Sequence, residues 1–101
     1  MYQILFQEIR PDPTIEFSSA TTIGLSDVIL FRIAALRAEL GFKNEITLVD
    51  DLTRNISMTF PTITEYLLFF TDPAMLELRK GRKIFNDSRG ITVSVISIGE
   101  K

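Results

Sequence analysis

The sequence predicts an α+β fold, in which four strands form an antiparallel sheet and two helices cover one of its faces. Three observations lead to this prediction. Apolar and polar residues alternate in four short segments, as they do in half-buried strands. Two longer segments carry apolar residues at helical spacing behind a capping residue. Along the 101 residues the order is strand, helix, strand, strand, helix, strand.

The chain begins with a strand. Residues 2–9 alternate between apolar and polar side chains, and the strand ends at Arg10-Pro11-Asp12-Pro13 because proline removes a donor from the strand ladder. Residues 14–18 alternate only weakly, and we expect either a short extra edge strand or an extended arm there. Residues 19–24 are small and polar, which is typical of a loop.

The first helix is predicted over residues 27–40. Ser26 is a favourable N-cap, and Gly41 suits a helix C-terminus. Apolar side chains cover most of this helix's circumference, which indicates burial on more than one side. The second strand is predicted over residues 45–49, before a turn at Asp50-Asp51.

The second half of the chain has the same order of elements as the first, a strand, a helix and a strand. Residues 55–60 alternate cleanly and form the third strand, paired with the second as a hairpin. Residues 62–65 match a capping box that starts a helix. Asp72-Pro73 interrupts this helix and starts a second helical piece, because aspartate caps helices and proline suits their first position. The last strand is predicted over residues 91–98.

This order is the ferredoxin-like βαββαβ pattern, which consists of two split strand–helix–strand halves. Right-handed crossovers then place both helices on one face of the antiparallel sheet. We found no linker or internal repeat, and the length suits a single domain spanning residues 1–101.

Composition excludes several functions. There is no Cys and no His, so thiolate chemistry is excluded and the commonest general base and metal ligand are missing. An enzyme, a metal site and a cofactor are therefore not expected. The net charge of −2 argues against nucleic acid and anionic membranes as partners. No apolar run reaches the length of a membrane span, and a cytoplasmic location, in a cell or a virus-infected host, is the expectation.

One face of the predicted sheet is a candidate interface or pocket. The mean hydropathy of +0.20 is high for a small domain, which indicates that a partner covers part of the surface. The face turned away from the helices is mixed and poor in charge, unlike an ordinary solvated face. Its candidate residues are Leu5, Gln7, Thr47, Val49, Ser57, Thr59, Thr92, Ser94 and Ile96.

Charged residues give one further candidate. Arg79, Lys80, Arg82 and Lys83 form the single basic cluster, which suits either an acidic partner or the solvated C-terminal part of a helix. The carboxylates match no catalytic motif. Glu8, Glu16, Glu45 and Glu65 are interpreted as surface or capping residues.

Part of the chain resembles a known family. Residues 56–60 run into Thr64-Glu65-Tyr66, and Phe69-Phe70-Thr71-Asp72-Pro73 precedes a helix and a β-rich strand from Gly90. This half resembles the dimeric α+β barrel family, which includes antibiotic-biosynthesis-monooxygenase-like proteins. The resemblance implies a dimer whose two sheets face each other and enclose a small-molecule pocket. Because oxygenases of the family often use His, Asn or Trp, the absence of His and Trp argues against their activity. Residues 10–17 are similar in style to small phage-encoded proteins.

Three hypotheses follow. The first is a non-enzymatic assembly or interaction protein, viral in origin, that forms homodimers or larger homo-oligomers through the open sheet face and the first helix. The second is a small-molecule-binding or monooxygenase-like barrel with a pocket between two sheets. The third is a modulator of a host protein that uses the basic cluster. The sequence leaves the ligand, the stoichiometry and the course of residues 11–24 open.

Overall fold

The computed structural model describes residues 1–101 and contains one four-stranded antiparallel sheet. The strands are β1 (Tyr2–Ile9), β2 (Lys43–Leu48), β3 (Thr53–Phe60) and β4 (Thr92–Glu100), and they lie in the order β2-β3-β1-β4. The α+β class and the antiparallel sheet predicted from the sequence are therefore confirmed. β4 carries a bulge, because Phe6 pairs with Val95 while Leu5 pairs with Ser97.

The chain forms four helices rather than the two of the predicted pattern. They are α1 (Ala20–Ile23), α2 (Asp27–Leu40), α3 (Ile63–Thr71) and α4 (Pro73–Arg89). The break between α3 and α4 lies at Asp72, which caps α4 as predicted. None of the four helices is both long and apolar enough to cross a membrane.

The short helix α1 lies where the sequence predicts a loop, at residues 19–24. Local side chains explain why this segment turns. Ser19 and Thr22 form a reciprocal capping box, and Gly24 ends the turn with a φ of 78°, a left-handed conformation that glycine adopts without steric cost.

The edge strand or extended arm predicted at residues 14–18 does not form, and the segment is an irregular loop. Asp12 starts a turn by accepting a hydrogen bond from the backbone N–H of Thr14 at 2.8 Å. The ring of Phe17 then lies between two guanidinium groups, those of Arg10 at 4.6 Å and Arg54 at 4.5 Å. These contacts outweigh the weak alternation in the sequence and fold the loop onto its own chain.

The hydrophobic core lies between the helices and one face of the sheet. Phe60 at the end of β3 is fully buried, and its ring centroid lies 5.2 Å from that of Phe42, 5.3 Å from Phe69 and 5.5 Å from Tyr66. Such aromatic contacts add stability beyond the area they bury. The densest packing is therefore at the end of the sheet where β3 leads into α3.

Helices α1 and α4 approach each other at Gly81. A Cβ atom at this position would lie 2.4 Å from Cγ2 of Ile23, which is too close for two carbon atoms that are not bonded to each other. Glycine weakens an exposed helix by about 1 kcal/mol relative to alanine. Here it removes the side chain that would push α1 away from α4.

We predict that Gly81→Ala destabilises the protein by about 1–2 kcal/mol, because the overpacking cost exceeds the gain in helix propensity. Urea denaturation measures the free energy of unfolding. The matched control is Ile23→Ala, alone and combined with Gly81→Ala. The combined loss should be smaller than the sum of the two single losses, and a stabilising effect of Gly81→Ala alone contradicts the contact.

An ion pair joins α2 to the start of α4. Both Nε and Nη2 of Arg32 donate to Oδ2 of Asp72, at 3.2 Å and 2.9 Å. This hydrogen bonding is the main cause that lowers the pKa of Asp72 below its usual value, and the backbone N–H of Ala74 acts in the same direction. Asp72 therefore both caps α4 and anchors it to α2.

We predict that this anchor weakens in acid. Because the pKa of Asp72 is lower in the folded chain than in the unfolded chain, its contribution is present above the unfolded pKa of about 3.9 and is lost as the pH falls through the folded pKa. Asp72→Asn retains a capping side chain and removes the charge. The melting temperature of the wild type should exceed that of the variant at neutral pH and converge with it at low pH. A constant difference down to about pH 2 contradicts the prediction.

Candidate functional site

A charged pair lies on the apolar face of the sheet, at the end opposite to Phe60. Glu8 shares the inward face of β1 with Ile4 and Phe6, and its side chain is only 1% exposed. Arg54 lies directly opposite Glu8 in the β1–β3 register. The alternation of both strands therefore places two charged side chains where apolar ones are the rule.

The guanidinium group of Arg54 has hydrogen-bond partners and a stacking contact in this position. Its Nε donates to Oε1 of Glu8 in a close ion pair, and its Nη2 donates to the carbonyl oxygen of Ser18 at 2.8 Å. Phe17 stacks against its guanidinium group. The second carboxylate oxygen of Glu8, Oε2, is enclosed and has no hydrogen-bond partner in the chain. The pair therefore retains one free acceptor inside the protein.

Arg82 brings a second guanidinium group to the same region. It lies one turn after the buried Leu78 on α4, and the next turn presents the buried Phe85 and Asn86. Its Nε is enclosed and has no partner. Desolvation by burial lowers the pKa of Arg82, as does the charge of Arg54, whereas Glu8 acts in the opposite direction. Arginine nonetheless stays charged at neutral pH.

Together, Glu8, Arg54, Arg82 and Asn86 form what we call the buried polar cluster. Its two guanidinium groups face one carboxylate, so the cluster carries a net positive charge. Oδ1 of Asn86, a residue only 3% exposed, is a further enclosed acceptor without a partner. Buried polar atoms without partners cost stability, and groups arranged in this costly way are often found at functional sites.

The buried polar cluster lies beside two cavities under α4. The first, of about 530 Å³, opens between α3, α4 and the β1–β4 half of the sheet. The second, of about 460 Å³, opens between α2, α4 and the β2–β3 half. Most of their lining is hydrophobic. The residues that line both are Ile56, Met58, Phe69, Met75, Leu78 and Arg82, so Arg82 stands between the two cavities.

The candidate sheet-face residues lie on the strands as their positions require. Ser57 and Thr59 line the face of β3 turned away from the core, and Leu5 and Gln7 lie beside them on β1. Thr92 and Ser94 continue the face on β4, whereas Ile96 is the unpaired residue of the bulge. Thr47 lies on β2, and Val49 lies just beyond its end.

Polar side chains on this face bind one another. Nε2 of Gln3 donates to Oγ of Ser57 at 3.0 Å, and Nε2 of Gln7 donates to Oδ1 of Asn55 at 3.2 Å. Both pairs join β1 to β3 across this face. Its role as an interface or pocket stays a prediction.

Three of the four residues of the basic cluster, Arg79, Arg82 and Lys83, line the first cavity, and Lys80 does not. Arg82 belongs to the buried polar cluster, and Arg79 stacks at 4.0 Å on the ring of Phe70 while it donates to that residue's carbonyl oxygen at 2.7 Å. Lys83 is exposed and paired with Asp87 at 2.9 Å, and Lys80 is exposed. Whether these cations contact a protein partner stays a prediction.

No model of a known protein family matches this chain, and no curated protein matches it. The structure brings no three His, Cys, Asp or Glu side chains together as metal ligands.

The interpretation of Glu8 as a surface residue is wrong, because its side chain is 1% exposed, and Arg54 and Asn86 are not among the candidate residues that the sequence predicts. The sequence contains a signal for each of them. Glu8 and Arg54 share the strand parity of the predicted core residues, and Asn86 lies eight residues after Leu78 on the buried stripe of α4. A charged or amide residue at a core position is the feature that indicates the site.

We predict opposite effects from one substitution made at the two arginines. Arg82→Met removes an incompletely paired guanidinium group and retains its apolar stem, so we expect the free energy of unfolding to rise by about 1 kcal/mol. Arg54→Met leaves Glu8 buried without its ion-pair partner, and we expect a loss of about 3 kcal/mol.

Urea denaturation of both variants at neutral pH measures these effects. Lys80→Met is the control, because it removes an exposed cation from the same helix and should change stability by less than about 0.5 kcal/mol. A loss of stability in Arg82→Met comparable to that in Arg54→Met contradicts the assignment of Arg82 as an incompletely paired charge.

Proposed function

We propose that this chain is a non-enzymatic interaction protein that assembles with copies of itself through strand β4. The observation that carries the proposal is the character of this strand. β4 lies at the edge of the sheet, and its residues 92–99 include no charged side chain. Edge strands of monomers are commonly protected by lysine, proline or a covering element. On β4 the bulge is the one such feature that hinders pairing with a strand of another chain.

Apolar side chains on β4 support the same proposal. Val93, Val95 and Ile98 pair with Glu8, Phe6 and Ile4 of β1 and so lie on the helix side of the sheet. They nevertheless remain 47%, 56% and 50% exposed. The helices cover the centre of the sheet and leave this edge open. A second copy placed along β4 buries these side chains and satisfies the free backbone groups of the edge.

A two-fold axis perpendicular to the sheet produces such a dimer. It pairs β4 with β4 of the second copy in the antiparallel direction and joins two sheets into one of eight strands. Both sets of helices then lie on the same side, so the apolar edges of the two copies meet.

We further assign the fold to the ferredoxin-like class, with α1 as an addition and with α3 and α4 in place of one helix. The strand order and the antiparallel pairing support this assignment.

The β4 contact has more support than the open sheet face as the dimer interface. Two pairs of polar side chains on the open face bind each other, whereas β4 has no strand beside its outer edge. Helix α2 provides a second exposed apolar surface, at Val28 and Phe31, which are 79% and 75% exposed. Its presence favours assemblies in which each copy makes more than one contact.

We predict that Val95→Lys weakens the dimer at least about tenfold, because it places a charge within the proposed pairing region. Val95 is exposed in the single chain, so the variant should fold normally. Light scattering after size-exclusion chromatography, across a dilution series, measures the mass of the assembly and its dissociation.

Two controls separate this interface from others. Ile84→Lys changes an equally exposed apolar residue on α4 and should leave the dimer unchanged. Thr59→Lys alone tests the open sheet face, because Thr59 lies on the central strand β3 and not on β4. A wild-type protein of 11.5 kDa at every concentration contradicts the proposal. Loss of the dimer only in the sheet-face variant moves the interface to that face.

A further inference from the structure

The first cavity has the dimensions and lining of a small-molecule site. At about 530 Å³ it falls within the range of 300–1,000 Å³ that is typical of ligand pockets. Phe6, Phe70, Leu78 and Val93 contribute apolar walls. A site of this kind needs a few polar groups that fix the orientation of its ligand, and the buried polar cluster provides them.

The charge of these polar groups selects an anion. Arg82 lines the cavity together with Glu8, and Arg54 neutralises Glu8 through their ion pair. The charge of Arg82 is therefore in excess. Lys83 and Asp87 at the same cavity form their own ion pair, and Arg79 adds a further positive charge. A carboxylate on an apolar molecule balances this charge and suits the planar geometry of a guanidinium group.

The two enclosed acceptors indicate that the ligand also carries a hydrogen-bond donor. Oε2 of Glu8 and Oδ1 of Asn86 have no hydrogen-bond partner in the chain, and both residues are at least 97% buried. Each can accept a hydrogen bond from a ligand. A ligand with a hydroxyl or amino group satisfies them, whereas a purely apolar acid leaves them unpaired at a cost in affinity.

We propose that the first cavity binds a small apolar carboxylic acid that carries a hydroxyl or amino group beside its carboxylate. The carboxylate lies against the guanidinium group of Arg82. The neighbouring hydroxyl or amino group donates to Glu8, with Asn86 as a second acceptor. The apolar body packs between Phe6 and Phe70. This cavity shares Val93 with the proposed β4 contact, and it lies on the helix side of the sheet, opposite to the predicted sheet-face pocket.

Four related compounds test the proposal. They are 3-phenyllactate, phenylalanine, 3-phenylpropanoate and 2-phenylethylamine, which share one apolar body and differ in the groups beside it. We expect 3-phenyllactate or phenylalanine to bind saturably in calorimetry and to shift the NMR signals of Glu8, Arg82, Asn86 and Val93. Comparing these two acids shows whether the hydroxyl or the amine is preferred. Phenylpropanoate should bind at least about tenfold more weakly, because it supplies no donor, and the amine should not bind.

Substitutions then assign the site. Arg82→Gln should weaken binding of the preferred acid at least about tenfold, since it removes the counter-charge of the carboxylate. Lys80→Gln removes an exposed cation of the same helix that does not line the cavity, and it should leave the affinity within about twofold. Thermal unfolding of both variants verifies that they are folded.

Three results would overturn the proposal. The first is the absence of saturable binding by both donor-bearing acids. The second is binding of 2-phenylethylamine or 3-phenylpropanoate that is as tight as that of the preferred acid. The third is unchanged affinity in a folded Arg82→Gln variant.

Discussion

The aromatic cluster around Phe60 holds the molecule together. Phe60 is the point at which β3 ends, and its ring contacts Phe42 before β2 as well as Tyr66 and Phe69 on α3. Tyr2, directly opposite Phe60 on β1, stacks on Tyr66 at 4.8 Å. One end of the sheet is therefore densely packed with rings. This packing fixes α3 against the sheet and, through the short connection at Asp72, the beginning of α4.

The other end of the same two strands has a different character. There Glu8 and Arg54 replace the aromatic pair, and two cavities open under α4. A helix anchored at one end by close packing can pass over a looser, polar region at the other without loss of the fold. Close aromatic packing is therefore concentrated at one end of the sheet, and the buried polar groups without partners are concentrated at the other.

Most of the secondary structure could be predicted because its signals are local. Strand β1 and helix α2 have the predicted bounds, and the capping residues Ser26, Thr62 and Asp72 act as expected. Local signals fail where distant residues decide the outcome. Phe17 does not join a strand because Arg54, 37 positions later in the sequence, holds its ring.

The candidate site was harder to predict than the fold, for the same physical reason. Arg82 stands in a run of basic residues, and only its position one turn after Leu78 separates it from its exposed neighbours. The consequence of Glu8 facing inward depends on Arg54, which lies 46 positions away in the sequence. Strand parity reveals that such residues point toward the core. It does not reveal which of them meet there, because that depends on the pairing of the strands and the crossing of α4.

The contact between Gly81 and Ile23 has a consequence for how this sequence can diverge. Two positions 58 residues apart share one small volume, in which a methyl group from one fills the space that a Cβ atom of the other would occupy. A larger residue at position 81 becomes tolerable only after the side chain at position 23 shrinks. In descendants of this chain the two positions should therefore change as a pair, and the pairing should appear as covariation wherever α1 is retained.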